Sequence, residues 1–277
     1  MVEMSSPLVM PDQLTKVLDD PRVVILDATQ GANPNDPHIP GAFHADIEGA
    51  WSDPSSPWPH QRPRIEVLES ELRRLGVNAD SWIVVYEQGE LFSAPRFWWL
   101  LRAFGFERVS ILQGGLTGWA ATGQALETMP TPLPEMGNVS LSLRPGMFVD
   151  EDDVRKHVEN KDRIIIDARS HGRFTGEEPE FRAGLRSGHI PGAQNMPYKD
   201  VQRDCALLPV DELRELFDSI TDERPIITSC GSGMTACVLA LALHVLGRDD
   251  VSVYDGSWTQ WGREDGPEIE TGPAADI

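Results

Sequence analysis

Short, continuous apolar runs recur along the chain: Val23-Val-Ile-Leu-Asp-Ala28, Trp82-Ile-Val-Val-Tyr86, Val109-Ser-Ile-Leu112, then Ile164-Ile-Ile-Asp-Ala168, Pro225-Ile-Ile-Thr-Ser229 and Val251-Ser-Val-Tyr254. Runs this short, without apolar/polar alternation, predict strands covered on both faces, as in a parallel sheet. Helix-length apolar stretches at about 94–104 and 235–246 lie between them, and a helix-like segment precedes the first strand of each set. Strands alternating with helices predict an α/β fold with helices on both faces of a mainly parallel sheet.

The pattern occurs twice. Val109-Ser-Ile-Leu-Gln-Gly-Gly-Leu-Thr-Gly-Trp119 lies over Val251-Ser-Val-Tyr-Asp-Gly-Ser-Trp-Thr-Gln-Trp261 at an offset of 142, which also carries Gly105 onto Gly247, Ala94 onto Ala236 and Gly89 onto Gly231. His-Ile-Pro-Gly-Ala occurs at 38–42 and again at 189–193. A self-match of this length predicts a duplicated domain. Four prolines between Thr128 and Pro145, with little periodicity, predict an extended connection. The expected division is 1–125, a linker at 126–145, and 146–277.

Charge and cysteine content narrow the function. The 277 residues hold 24 Lys+Arg against 44 Asp+Glu, a formal charge of -20, the wrong sign for binding nucleic acid. No apolar run reaches the roughly 18 to 20 residues of a membrane helix. Three scattered cysteines make neither a disulfide framework nor a zinc site, and the N-terminal stretch lacks a basic-then-apolar signal. These features predict a cytoplasmic protein without a metal. Cys237 reads as a core residue, and Cys205 sits in a polar loop without an evident partner.

The chemistry should lie where the two halves differ. After Ile226-Ile-Thr-Ser229 the second half has Cys230-Gly-Ser-Gly-Met-Thr-Ala236, whereas the first half has Gln88-Gly-Glu-Leu-Phe-Ser-Ala94. A cysteine on a strand-to-helix turn meets converging N–H groups and the positive end of a helix, which stabilise a thiolate or a persulfide. Gly231 and Gly233 let the backbone wrap closely. The bland alternative is a buried thiol in a glycine-rich turn. A cysteine phosphatase is disfavoured, because its loop needs Arg where this chain has Ala236.

The repeated HIPGA, the CGSGMTA loop and the closing YDGSWTQW together resemble tandem-domain sulfurtransferases of the rhodanese family, over nearly the whole chain. The signature departs at Gln260, where the family has Glu. The resemblance implies two tandem rhodanese-like domains, only the second catalytic, with Cys230 carrying sulfur in a loop whose backbone at Gly231, Gly233, Met234 and Thr235 cradles it. The loop is similar to that of members using 3-mercaptopyruvate; thiosulfate users place basic residues where Gly231 and Ser232 stand. No cofactor is implied. The implied acceptor is cyanide or a thiol such as thioredoxin, with pyruvate as the other product.

Two insertions carry the remaining candidates. Asp27 to His38 spans 11 positions but Asp167 to His189 spans 22, and the extra length holds Arg173 and Arg182. Both match the family's pair that holds the substrate carboxylate and keto oxygen, a task suited to a planar guanidinium. Surface ion pairs with Glu177, Glu178 or Glu180 are the alternative. In the first half, the resemblance implies a catalytic Ser232–His60–acid arrangement, the acid being Glu48 or Asp46. His38 and His189, being duplicated, read as structural, and Arg186 has no firm counterpart. The rivals are a thiosulfate sulfurtransferase and a non-catalytic persulfide carrier or regulatory module.

Overall fold

The computed structural model describes residues 6–275; the first five residues of the N-terminal stretch lie outside it. The chain forms two compact units. One comprises residues up to Pro54, Arg62–Arg144 and Arg203–Leu207; the other comprises Ser55–Gln61, Pro145–Gln202 and Leu208 onward. Two short segments thus belong to the unit opposite to their place in the sequence, one from each half.

The first unit contains β1 (Leu8–Val9), α1 (Pro11–Thr15), β2 (Val23–Asp27), β3 (Ala42–His44), α2 (Ile65–Arg74), β4 (Trp82–Tyr86), α3 (Ala94–Ala103), β5 (Val109–Leu112) and α4 (Gly115–Ala121). Its sheet has the order β1-β5-β4-β2-β3, and each pairing is parallel. The central strand β4 is buried along its whole length, which is why its sequence carries no alternation.

The second half runs β6 (Phe148–Val149), α5 (Glu151–Asn160), β7 (Ile164–Asp167), α6 (His171–Thr175), β8 (Gln194–Asn195), a hairpin of β9 (Gln202–Arg203) and β10 (Ala206–Leu207), α7 (Val210–Asp218), β11 (Ile226–Ser229), α8 (Ala236–Val245), β12 (Val251–Tyr254) and α9 (Ser257–Trp261). Its sheet repeats the order of the first, β6-β12-β11-β7-β8, again parallel. The fold class is the one expected: two parallel sheets flanked by helices, built by duplication. Among the described residues, no helix is long and apolar enough to cross a membrane.

Local chemistry sets several boundaries. The Asp150 carboxylate accepts the Asp153 N–H at 3.0 Å and starts α5, an N-cap satisfying a donor that has no helical partner. α8 is buried on every side from Ala236 to Leu243, so it carries no polar face. The two HIPG turns are structural. His38 Nδ1 lies 2.8 Å from the Asp36 carbonyl, while His189 Nδ1 meets the Phe174 carbonyl at 2.9 Å and its ring stacks on Phe174. Gln260, the departure from the family signature, accepts the Tyr254 hydroxyl at 3.2 Å.

Candidate active site

β11 ends at Ser229, and the loop 230–235 runs from the carboxyl edge of the sheet into α8, where ligands bind in open α/β sheets. Cys230 opens the loop and is 1% exposed. The loop is anchored by α9: the Ser257 hydroxyl oxygen accepts the N–H groups of Cys230 and Gly233, both at 3.1 Å, and donates to the Tyr254 carbonyl at 2.8 Å. Trp258 N–H donates to the Cys230 carbonyl and Thr259 N–H to the Gly231 carbonyl. Gly233 has φ +78°, a conformation that favours glycine.

These anchors leave a set of donors aimed elsewhere. Among the described residues, the N–H groups of Gly231, Ser232, Met234 and Thr235 have no acceptor in the protein. Concentrated N–H groups at the start of a helix favour a negative charge. Met234 and Thr235, like Ser232, are buried. Cys237, the second residue of α8, is buried, and its thiol points back to the Gly233 carbonyl at 3.3 Å.

Two guanidinium groups stand against the loop. A methyl group at Gly231 would meet Arg173 Nη2 at 3.3 Å, a tight contact, and Arg182 Nη1 at 3.6 Å, an ordinary one, so both guanidiniums lie directly against the loop backbone. Arg173 lies on the short helix α6, and Arg182 follows in the loop after it. The ion pair allowed as an alternative for Arg173 does exist, with Glu180. It accompanies the position beside Gly231 rather than excluding it. Arg182 makes no ion pair among the described residues. The Phe181 ring, 70% exposed, lies under both guanidiniums, 4.6 and 4.9 Å from their central carbons. Arg186 is occupied differently, donating to the carbonyls of Trp261 and Pro267, which makes it a brace for the segment after α9.

His60, although it falls in the first half of the sequence, belongs to the second unit with Ser55–Gln61. It is buried, has φ +60°, and its Nδ1 lies 2.8 Å from the Ser232 hydroxyl. Asp46 and Glu48 belong to the first unit, exposed in the turn after β3, where the Asp46 carboxylate accepts the Glu48 N–H at 3.0 Å.

Sequence reasoning passed over two residues here. Ser257 holds the nucleophile's loop from a backbone with φ +48°, which its place in the closing signature does not reveal. Arg169 is buried, bonded to Asp167 and Glu180, with its guanidinium 4.2 Å from the Trp258 ring. Comparing the halves could have flagged it, since the corresponding residue after Asp-Ala in the first half is Thr29.

In the first half the matching cradle is filled from within. The buried Glu87 carboxylate accepts the N–H groups of Phe92 and Ala94 on one oxygen, and the N–H and hydroxyl of Ser93 on the other. At the repeat offset these positions correspond to Met234, Thr235 and Ala236. Cys205 packs below: Gly115, the counterpart of Ser257, has no room for a side chain, and a methyl there would meet the Glu87 carbonyl at 2.1 Å and Cys205 Sγ at 2.8 Å. The expectation that Cys205 lacks a partner is corrected accordingly. Its residue is buried and its carbonyl accepts the Gly114 N–H.

The rhodanese-like domain family matches residues 10–122 and 150–264. The chain is similar to the 3-mercaptopyruvate sulfurtransferase of Escherichia coli K12, with 44% identity covering 91% of this chain and 93% of that protein. It is similar also to the mitochondrial thiosulfate/3-mercaptopyruvate sulfurtransferase 1 of Arabidopsis thaliana, with 37% identity covering 98% and 79%. Among solved structures, it superposes on SseA from Escherichia coli, a 3-mercaptopyruvate sulfotransferase of "Rhodanese" fold, with TM-score 0.83, 42% identity and coverage of 91% and 99%. Tum1 from Saccharomyces cerevisiae gives a TM-score of 0.86 at 28% identity, with coverage of 98% and 99%. Matched in both halves by sequence and by fold, the chain belongs to the rhodanese family.

Proposed function

We propose that the protein is a 3-mercaptopyruvate sulfurtransferase with Cys230 as its nucleophile. The observation that carries this reading is the pair of guanidiniums, Arg173 and Arg182, against Gly231, next to Cys230. Together they suit the carboxylate and keto oxygen of a small α-keto acid. The Cys230 thiolate attacks the substrate sulfur, forming an S–S bond as the carbon–sulfur bond breaks. The electron pair of that bond passes to carbon, giving the enolate of pyruvate, which takes up a proton. The persulfide left on Cys230 is held by the loop N–H groups of Gly231, Ser232, Met234 and Thr235. His60 and Ser232 move the proton between the substrate thiol and the enolate.

In the second half of the cycle an acceptor attacks the outer sulfur and frees Cys230. Cyanide leaves as thiocyanate. A cytoplasmic dithiol of the thioredoxin type takes the sulfur on one thiol, closes its own disulfide and releases hydrogen sulfide. Sulfur is both nucleophile and cargo, so the cycle calls for no organic cofactor. Positions 231 and 232 carry no cation, which disfavours thiosulfate as the principal donor.

The test is steady-state turnover of 3-mercaptopyruvate and of thiosulfate with cyanide, with Cys230→Ser as control. Preference for mercaptopyruvate, with pyruvate and thiocyanate formed in equal amounts and lost in the control, supports the assignment. Preference for thiosulfate overturns the substrate; no turnover of either points to a persulfide carrier.

A further inference from the structure

The Arg173 guanidinium is held in a fixed plane. Nε donates to Glu180 Oε1 at 3.1 Å and Nη2 to Oε2 at 2.6 Å, the parallel two-bond pairing characteristic of arginine and carboxylate. The same carboxylate, 1% exposed, accepts Arg169 Nη1 at 2.7 Å. Arg169 in turn is bound to Asp167 at the end of β7, to the Gly188 carbonyl and to the Trp258 ring. A chain of alternating charge therefore runs from the sheet to the loop.

A buried carboxylate beside an anion site opposes the site's task, because it cancels part of the field that draws the anion. Among these five side chains, Asp167 and Glu180 offset two of the three positive charges of Arg169, Arg173 and Arg182. Removing the Glu180 charge would raise the field by one unit, whatever else surrounds it. The gain would be larger for a dianion than for a monoanion.

We infer that Glu180 sets donor specificity: its charge tunes the Arg173–Arg182 pair to a monoanionic α-keto acid thiol and against a dianionic donor such as thiosulfate. With thiosulfate the outer sulfur passes to the Cys230 thiolate, the S–S bond of the donor breaks, and sulfite leaves with the electron pair. The inference rests on the proposed role of the two arginines in holding the donor. Glu180 acts through them and through the local field.

The experiment compares kcat/KM for 3-mercaptopyruvate and thiosulfate, with cyanide as acceptor, in the parent, Glu180→Gln, Glu180→Asp and Arg182→Gln. Glu180→Gln should shift the ratio toward thiosulfate by roughly fivefold or more. Glu180→Asp keeps the charge on a shorter arm, so both rates fall while the ratio stays within about twofold of the parent. If Glu180→Gln depresses both donors in equal proportion, the residue is only a brace and the inference fails. Should Glu180→Gln not fold, the aspartate variant decides, and a changed ratio there overturns the proposal. Arg182→Gln separates the two layers: if it leaves the KM for mercaptopyruvate unchanged, the reading of the arginines fails, independently of Glu180.

Discussion

His60 Nδ1 meets the Ser232 hydroxyl at 2.8 Å across 172 positions of sequence. The contact joins a loop of the first half to the loop that carries Cys230, and it lies inside one compact unit. Two side chains acting as a unit should fail as a unit. His60→Asn and Ser232→Ala are each expected to lower kcat for 3-mercaptopyruvate by roughly 10²-fold. The double variant should be no worse than the poorer single one. Additive losses in the double-mutant cycle would show that the two act separately.

Ser257 predicts a cost in stability. Its hydroxyl oxygen is the acceptor for two buried N–H groups, those of Cys230 and Gly233. Ser257→Ala removes the acceptor of both bonds, at about 2–4 kcal/mol in total. The urea midpoint should fall accordingly, with the m-value unchanged.

Gly231→Ala tests the space beside the arginines. The new methyl would press on Arg173 Nη2 at 3.3 Å, and Arg173 cannot swing away without breaking its fork to Glu180. The expected result is a roughly tenfold rise in KM for 3-mercaptopyruvate, with unfolding by urea little changed. An unchanged KM would mean that the guanidiniums yield freely.

Cys205 gives a pH prediction. Burial, reinforced by the negative charges of Glu87 and Glu90, pushes its thiol up to about 12, against about 8.5 in an unfolded chain. The folded-state value is raised, so the contribution to stability is complete below the unfolded value and is lost as pH rises toward about 12. At neutral pH Cys205→Ala costs stability through the cavity it leaves. Between pH 8 and pH 10, however, its stability should decline by about 2 kcal/mol less than the parent's. Parallel declines would mean that Cys205 ionises as easily folded as unfolded.

Much of this architecture is legible in the sequence because burial on both faces leaves a readable mark. β2, β4, β5, β7, β11 and β12 are continuous apolar runs, and their repetition gives the duplication. The edge strands β1, β3, β6 and β8 have two or three residues each; pairing defines them, and composition does not. The Cys230 turn is legible because the halves diverge there. The anchoring role of Ser257 depends on a backbone angle, and the burial of Arg169 and Glu180 depends on a chain of ion pairs assembled only in three dimensions. No periodicity encodes either, nor does any signal announce that Ser55–Gln61 joins the other unit.

The Glu87 carboxylate in the first-half cradle has an evolutionary consequence. Gln88→Cys alone would return a thiol to the position matching Cys230, but two of the four N–H groups that match the Cys230 cradle, those of Phe92 and Ser93, already serve Glu87. Removing Glu87 alone would strip four hydrogen bonds from a buried turn and put nothing in their place. Gln88 is exposed, so the cysteine would cost little, but it would gain no full cradle until Glu87 is lost as well. The asymmetry of the duplication is thus held by a buried carboxylate that no single substitution replaces.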